Sequence, residues 1–485
     1  MQTQKHIFHF HSAAFFKSLA LLFLFFLSVN AFAQLPDTLS DSSVNIQTFD
    51  LQQLKEYGLM HSRSMQKADW EIKKARARRW EAISAGLPQV SANAEIQRFF
   101  DVPTQLMPDF LTPAIVGVNQ QVFHLHPKAP LPENKKMPVK FGSDYNFRFG
   151  GTVSQLIFSG EYIVGLSASK IYLSLSEKLK EKSIAEIKKN IEKTYYLILI
   201  SRESIEVLDS VKQSLNNLID QNTQLEQVGF IEATDVEQIT LNLKETENSL
   251  LTFKEQENNL YRLLKYQTGI PENDSIQISG SLENIVQNIV DTDILGQNID
   301  ITQNIDYRLL QTTELLKERQ VRLQEVSVLP TLSAYYSYTR QAMEDSFALF
   351  DKATRWHPTS LLGLKLSIPV LSGGRRHAKI RQARAEYEQN KIDRLDAEHS
   401  LQLQIDQSKT NYLAELNRLK NKEQQRNLAK KIYENSLTKF AAGVETSFAL
   451  SQKQMQYFQS LTAYYQSLSS FIEQQLNLKK LLNQL

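Results

Sequence analysis

Two hydrophobic rhythms alternate along the chain. Val90, Ala92, Ala94 and Ile96 take every second position, with Ser91, Asn93, Glu95 and Gln97 between them. Period two places the two sets on opposite faces of a strand. Tyr145–Phe158 repeats the rhythm, with Phe147, Phe149, Gly151 and Val153 on one face and Arg148, Gly150, Thr152 and Ser154 on the other. So do Leu332, Ala334, Tyr336 and Tyr338 against Ser333, Tyr335, Ser337 and Thr339, and Leu362, Leu364, Leu366 and Ile368 against Gly363, Lys365 and Ser367. The spacing predicts four half-apolar strands, at about 88–100, 144–158, 330–340 and 359–370.

The second rhythm has steps of three and four. Ile184, Ile187, Ile191, Tyr195 and Ile198 follow it, then Ile205, Leu208, Val211, Leu215 and Leu218. After a break at Val228-Gly229-Phe230, Val236, Ile239, Leu243, Leu250, Phe253, Leu260 and Leu264 continue with nearly heptad spacing. This predicts helices at 161–228 and 231–268 with narrow apolar seams of the coiled-coil kind. A matching pair is predicted at 374–442 and 444–485, and shorter helices over Thr48–Ala85 and Ile305–Ser327.

The plan is written twice. Leu87-Pro88 returns as Leu329-Pro330, Ser159-Gly160 as Ser372-Gly373, and Gly229 as Gly443. The interval from Gly160 to Gly229 nearly equals that from Gly373 to Gly443. The first repeat is therefore placed at 48–304, with a loop at 101–143 and a linker at 269–304, and the second at 305–485. Finding such a period first prevents a wrong domain count. Neither half has enough elements to bury its own faces.

Composition sharpens this picture. Seven of the 13 prolines fall between Pro103 and Pro138, and their scarcity elsewhere permits very long helices. The chain has no cysteine, so disulfides, thiolate metal sites and cysteine lipidation are excluded. Residues 1–33 read as a signal peptide: Lys5 and Lys17, then apolar Leu19–Val29, then Ala31-Phe32-Ala33 before a cut at Gln34, leaving a tail at 34–47. The apolar run is too short to span a membrane as a helix. Removing this segment leaves basic and acidic residues equal at 53 each, which argues against a nucleic-acid binder held by phosphate contacts.

Four strands with one apolar face leave two unpaired edges, which a membrane does not tolerate. Three copies around an axis would close a barrel of 12 strands, an even number in the usual range. Phe99, Phe100, Phe147, Phe149, Tyr335, Tyr336 and Tyr338 would supply its aromatic girdle. The Gln-, Asn-, Glu- and Lys-rich helices would stand in water as a coiled-coil tube.

At this point the residues resemble the TolC-type outer membrane efflux protein family. The resemblance rests on Gly86-Leu87-Pro88-Gln89-Val90 with its copy Leu329-Pro330-Thr331-Leu332, and on Gln155-Leu156-Ile157-Phe158-Ser159-Gly160 with its copy Ile368-Pro369-Val370-Leu371-Ser372-Gly373-Gly374. It also rests on the turn Val228-Gly229-Phe230-Ile231-Glu232-Ala233-Thr234-Asp235-Val236 and on the closing Glu473-Gln474-Gln475-Leu476-Asn477-Leu478. It implies an α+β membrane protein, a homotrimer with one shared 12-stranded barrel in the outer membrane and a periplasmic helical barrel. It further implies docking to a periplasmic adaptor protein and an inner-membrane pump or ABC exporter. The docking tips would be Gly229, Phe230 and Asp235 with Gly443, Val444 and Glu445. Gly160, Gly373 and Gly374 would be strand-to-helix hinges. The chain departs from many relatives at Ala449, where an acidic residue is common, and at Glu445, where some carry a basic one. Asp235 and Glu445 are then the aperture candidates, and an acidic, cation-favouring mouth is expected.

Nothing in the sequence reads as catalytic, and no cofactor is implied. His124 and His126 have a metal-binding spacing but no third ligand nearby. The Lys73–Arg79 run reads as a solvated helix face. The functional expectation is a passive exit duct of a tripartite efflux or type I secretion system. A periplasmic coiled-coil scaffold and a surface adhesin built on the 101–143 loop are the alternatives.

Overall fold

The computed structural model describes residues 47–109, 111–124, 136–283, 293–296, 300–349 and 351–485. The chain divides into Met1–Gln47 and the unit Thr48–Leu485, and the following concerns the latter. The signal segment and the 34–46 stretch lie outside the described residues. So does His126, and with it half of the histidine pair.

The elements run α1 (Leu51–His61), α2 (Arg63–Ser84), β1 (Gln89–Arg98), β2 (Thr104–Pro108), α3 (Leu111–Phe123), β3 (Lys136–Lys140), β4 (Tyr145–Phe158) and α4 (Gly160–Gln227). Then come α5 (Ala233–Thr268), β5 (Ile276–Ile278), α6 (Ile305–Val326), β6 (Thr331–Glu344), β7 (His357–Ser367), α7 (Arg375–Ala441) and α8 (Ser447–Leu481).

Two differences from the sequence reading have simple causes. The helix expected over 48–85 breaks at Ser62, which caps α2 by accepting from Met65 N at 3.3 Å. A serine hydroxyl competes with the helix ladder and favours this position. The 101–143 stretch contains a hairpin, β2 with β3, and the helix α3. Pro108 and Pro138 fit there because a two-stranded ribbon has only edges, where a missing N–H costs little.

The main sheet is antiparallel in the order β1-β4-β6-β7. Its register sorts the residues onto faces. Val90 lies opposite Val153, Val153 opposite Tyr336, and Tyr336 opposite Leu362. Ala94, Phe149, Leu332, Ala334, Leu364 and Leu366 share that apolar face. The other face carries Ser91, Thr152, Ser337 and Leu361 in one row. There Thr152 Oγ1 meets Ser337 Oγ at 3.1 Å, and Gln341 Nε2 donates to Asn146 Oδ1 at 2.9 Å. Tyr335 is a correction to the aromatic girdle. It points to the polar face, over Gly363, where a Cβ would come within 2.6 Å of its ring. Phe147 and Phe149 do sit on the apolar face, packed on Phe347 and Trp356 at centroid distances of 5.7 and 4.8 Å.

The long helix α4 has 68 residues, a rise of about 100 Å at 1.5 Å per residue. It packs against α2, α5 and α6, while α7 packs against α6 and α8. Near the strands the helices therefore stand in the order α2-α4-α6-α7, the order of the strands they join. The main core lies midway along α4, around Ile191, Ile198, Leu54, Leu264, Leu468 and Phe471. A second core around Leu215, Ile239, Tyr433 and Leu450 lies toward the helix turns. In the main core Glu192 is ion-paired with Lys55 and accepts from Tyr196 Oη at 3.0 Å. Burial, and then the Glu192 charge, push the Tyr196 phenol pKa up.

Candidate functional site: the two helical turns and the strand junctions

Both long helices end in the same backbone device. At the first turn Gly229 has φ +75°, its N–H donates to Glu226 O at 2.9 Å, and Phe230 N donates to Leu225 O at 2.9 Å. At the second Gly443 has φ +73°, with Gly443 N to Phe440 O and Val444 N to Lys439 O, each 2.9 Å. This paired pattern is a Schellman motif. It needs a left-handed residue, which glycine adopts without a Cβ clash. The returning helices differ at their starts. Thr446 accepts from Ala449 N at 3.3 Å, whereas Glu232 makes no side-chain cap.

The turns expose apolar side chains. Phe230 is 79% exposed and Val444 78%, and Val228 and Phe448 are exposed as well. Phe448 was missed by sequence reasoning. A single aromatic at the third residue after Glu445 carries no periodic signal.

The two aperture candidates each have a partner. Asp235, in the first turn of α5, accepts from the Ser447 hydroxyl at the start of α8, so it joins the two hairpins. Glu445 is ion-paired with Lys453 at 3.4 Å. The Ser436 hydroxyl first, then Lys453, hold its carboxyl below the usual range. The Glu445 charge is thus balanced locally. Farther up the same seam Ser451 Oγ donates to Asn242 Oδ1 at 2.8 Å and Gln454 Nε2 to Thr246 Oγ1 at 3.1 Å. The contact of α5 with α8 is therefore a ladder of hydrogen bonds for about three turns. Its residues are spaced three and four apart, but they are polar and escaped the apolar pattern.

The strand-to-helix glycines divide into two kinds. Gly160 is buried, and a Cβ there would meet Leu329 Cδ1 at 2.8 Å and Val326 Cβ at 3.1 Å, so it is a packing glycine. Gly373 and Gly374 have φ +55° and +79° with open space around them. They are backbone glycines. Arg376 Nη1 ties the turn by donating to Pro369 O at 2.9 Å. No group of His, Cys, Asp and Glu able to hold a metal occurs among the described residues.

Residues 316–484 match the family described as outer membrane efflux protein. The matched segment runs from α6 through α8. Over that segment the chain is similar to that family. Its members are outer-membrane efflux channels of the TolC type, passive conduits and not enzymes. No curated protein matches the chain. Among solved structures, the Vibrio cholerae outer membrane protein VceC is similar at 15% identity and TM-score 0.61, over 89% of this chain and 95% of that one. The Campylobacter jejuni CmeC outer membrane channel is similar at 14% identity and TM-score 0.64, over 93% and 94%. The open-state Neisseria gonorrhoeae MtrE outer membrane channel is similar at 12% identity and TM-score 0.59, over 93% and 96%. At these identities the likeness concerns the fold, which this chain shares along nearly its whole length.

Proposed function

We propose that this chain works as a homotrimeric exit duct, with one shared barrel of 12 strands and a helical tube in the periplasm. The observation that carries the reading is the sheet: one apolar face, one polar face and two open edges. Open edges and an apolar face facing water are both unfavourable, and both are resolved by closure within lipid. The helix layer repeats the same incompleteness. Its edge helices α2 and α7 expose Trp70 and Trp80 on one side and Ile392 and Leu395 on the other. These are surfaces that a neighbouring copy would cover. The polar sheet face then lines the passage.

The exposed Phe230, Val444, Val228 and Phe448 suit docking of an apolar partner surface, here a periplasmic adaptor protein. The adaptor would link the duct to an energised inner-membrane pump or ABC exporter, with no nucleic acid involved. Gating is assigned to the seam between α5 and α8. Hydrogen bonds such as Asp235–Ser447 and Asn242–Ser451 can be exchanged for water, so the hairpins can part at the turns while the barrel stays closed. Export would follow a signal peptide cut after Ala33.

Purified protein in planar bilayers tests the reading. Discrete channels of low conductance are expected, rising when the seam is cut by Asn242→Ala with Ser447→Ala. Extraction from membranes by high salt alone, with no channel activity, would sink it.

A further inference from the structure

A cavity of about 570 Å³ lies where α1 gives way to α2 beside the end of α5. Arg63, Arg262, Lys265 and His61 line it, with Gln66 and one acidic residue, Glu272. Arg63, Arg262 and Lys265 have no carboxylate partner among the described residues. Lys265 Nζ donates instead to the main-chain oxygen of Glu272, at 2.9 Å. Elsewhere pairing is common: Arg308 meets Glu181 at 2.7 Å and Arg394 meets Glu314 at 2.5 Å.

Lys265 has a local explanation, since a cation in the last turn of α5 complements the negative end of that helix. Arg63 has none. It is the first residue of α2, whose first turn holds no acidic residue. A cation there opposes the positive end of the helix. Residues set against their local preference mark functional places. Like charges held in one cavity repel, and an anion between them removes the cost.

We propose that this cavity binds an organic oxyanion, a phosphate or carboxylate group on a carbon body. Guanidinium groups present paired N–H donors that match such oxygens two at a time. Arg63 and Arg262 take the oxyanion, Lys265 adds charge, and the body rests on Tyr266, which is 71% exposed, and on Ile270. The proposal does not depend on the duct reading.

The test uses the full chain purified in detergent, titrated with citrate and, separately, inorganic phosphate, at ionic strength held constant with sodium chloride. Calorimetry and thermal unfolding are read together. One saturating site per chain and a raised unfolding temperature are expected. Arg63→Gln with Arg262→Gln should weaken binding at least tenfold. With no probe present that double variant should be as stable as the parent or more so, because repulsion is relieved. Arg79→Gln, exposed on α2 outside the cavity, should bind as the parent does. A response to citrate alone assigns carboxylates, and one to phosphate alone assigns phosphates. The proposal is overturned if neither probe saturates or if the double variant responds like the parent. It also falls if the double variant unfolds or dissociates earlier without probe, which would make the arginines structural.

Discussion

Leu361 and Leu362 are chemically identical neighbours near the middle of the 11-residue strand β7, and both are exposed in the single chain. Leu361 stands opposite Ser337 on the polar face, and Leu362 opposite Tyr336 on the apolar face. The closed barrel would put the first against water and the second against lipid. An arginine on the lipid face near the bilayer midplane costs about 2–4 kcal/mol, whereas lumen substitutions chiefly tune selectivity. At 1.36 kcal/mol per factor of ten, Leu362→Arg should lower the folding equilibrium constant by roughly 30- to 900-fold. Leu361→Arg should fold nearly as the parent does and shift ion selectivity toward anions. The assay is urea-driven folding into lipid vesicles, read by intrinsic fluorescence, followed by bilayer current. Equal penalties, or a larger one at Leu361, would refute the assignment of faces.

Four further outcomes follow from the same structure. Gly363→Val drives a side chain into the Tyr335 ring and should destabilise by roughly 1–3 kcal/mol, with Tyr335→Ala in the same chain recovering part of the loss in a double-mutant cycle. Gly229→Ala and Gly443→Ala should each cost roughly 1–2 kcal/mol for the left-handed backbone, measured by chemical denaturation; no loss at either would contradict the turn geometry. Ser447→Ala removes the donor to Asp235 and should raise the open probability in single-channel records. Glu247 has its carboxyl held below the usual range by hydrogen bonds from Lys244 and then Lys212, at 3.0 and 3.2 Å. A depressed folded value means its contribution is present above the unfolded value and lost as pH falls through the folded one. Acid titration of Glu247→Gln should lack that component, and an unchanged acid limb would count against the clasp.

The strands, the duplication and the long helices were legible because period-two and period-3.6 patterns are long here and punctuation is scarce. The face of each strand residue was legible too, Tyr335 included, since it alternates with Ser333 and Ser337. Counting Tyr335 in the girdle went against its own alternation, and that its ring fills the space left by Gly363 across the sheet is a pairing only the register shows. The helix break at Ser62 hid inside a strongly charged helical pattern, since one serine looks like any surface residue until its hydroxyl is seen to cap. At the turns the glycines were readable from sequence, while the partners of the carboxylates were not. Asp235 is met by Ser447, a contact that depends on how two hairpins are set side by side, and Glu445 by Lys453, where the turn folds back along the start of α8.

The unlike junction glycines bear on how position is passed along the molecule. At the first junction Gly160 is wedged against Val326 and Leu329, so the start of α4 is fixed in rotation relative to the strands. At the second, Gly373 and Gly374 have open space where a Cβ would stand, and the turn is held by the Arg376 hydrogen bond to Pro369 O rather than by packing at the glycines, so α7 is set less tightly against β7. One repeat thus acts as a stiff shaft and the other as a jointed one. A twist applied at the far turns would reach the sheet through α4 and be absorbed before it through α7.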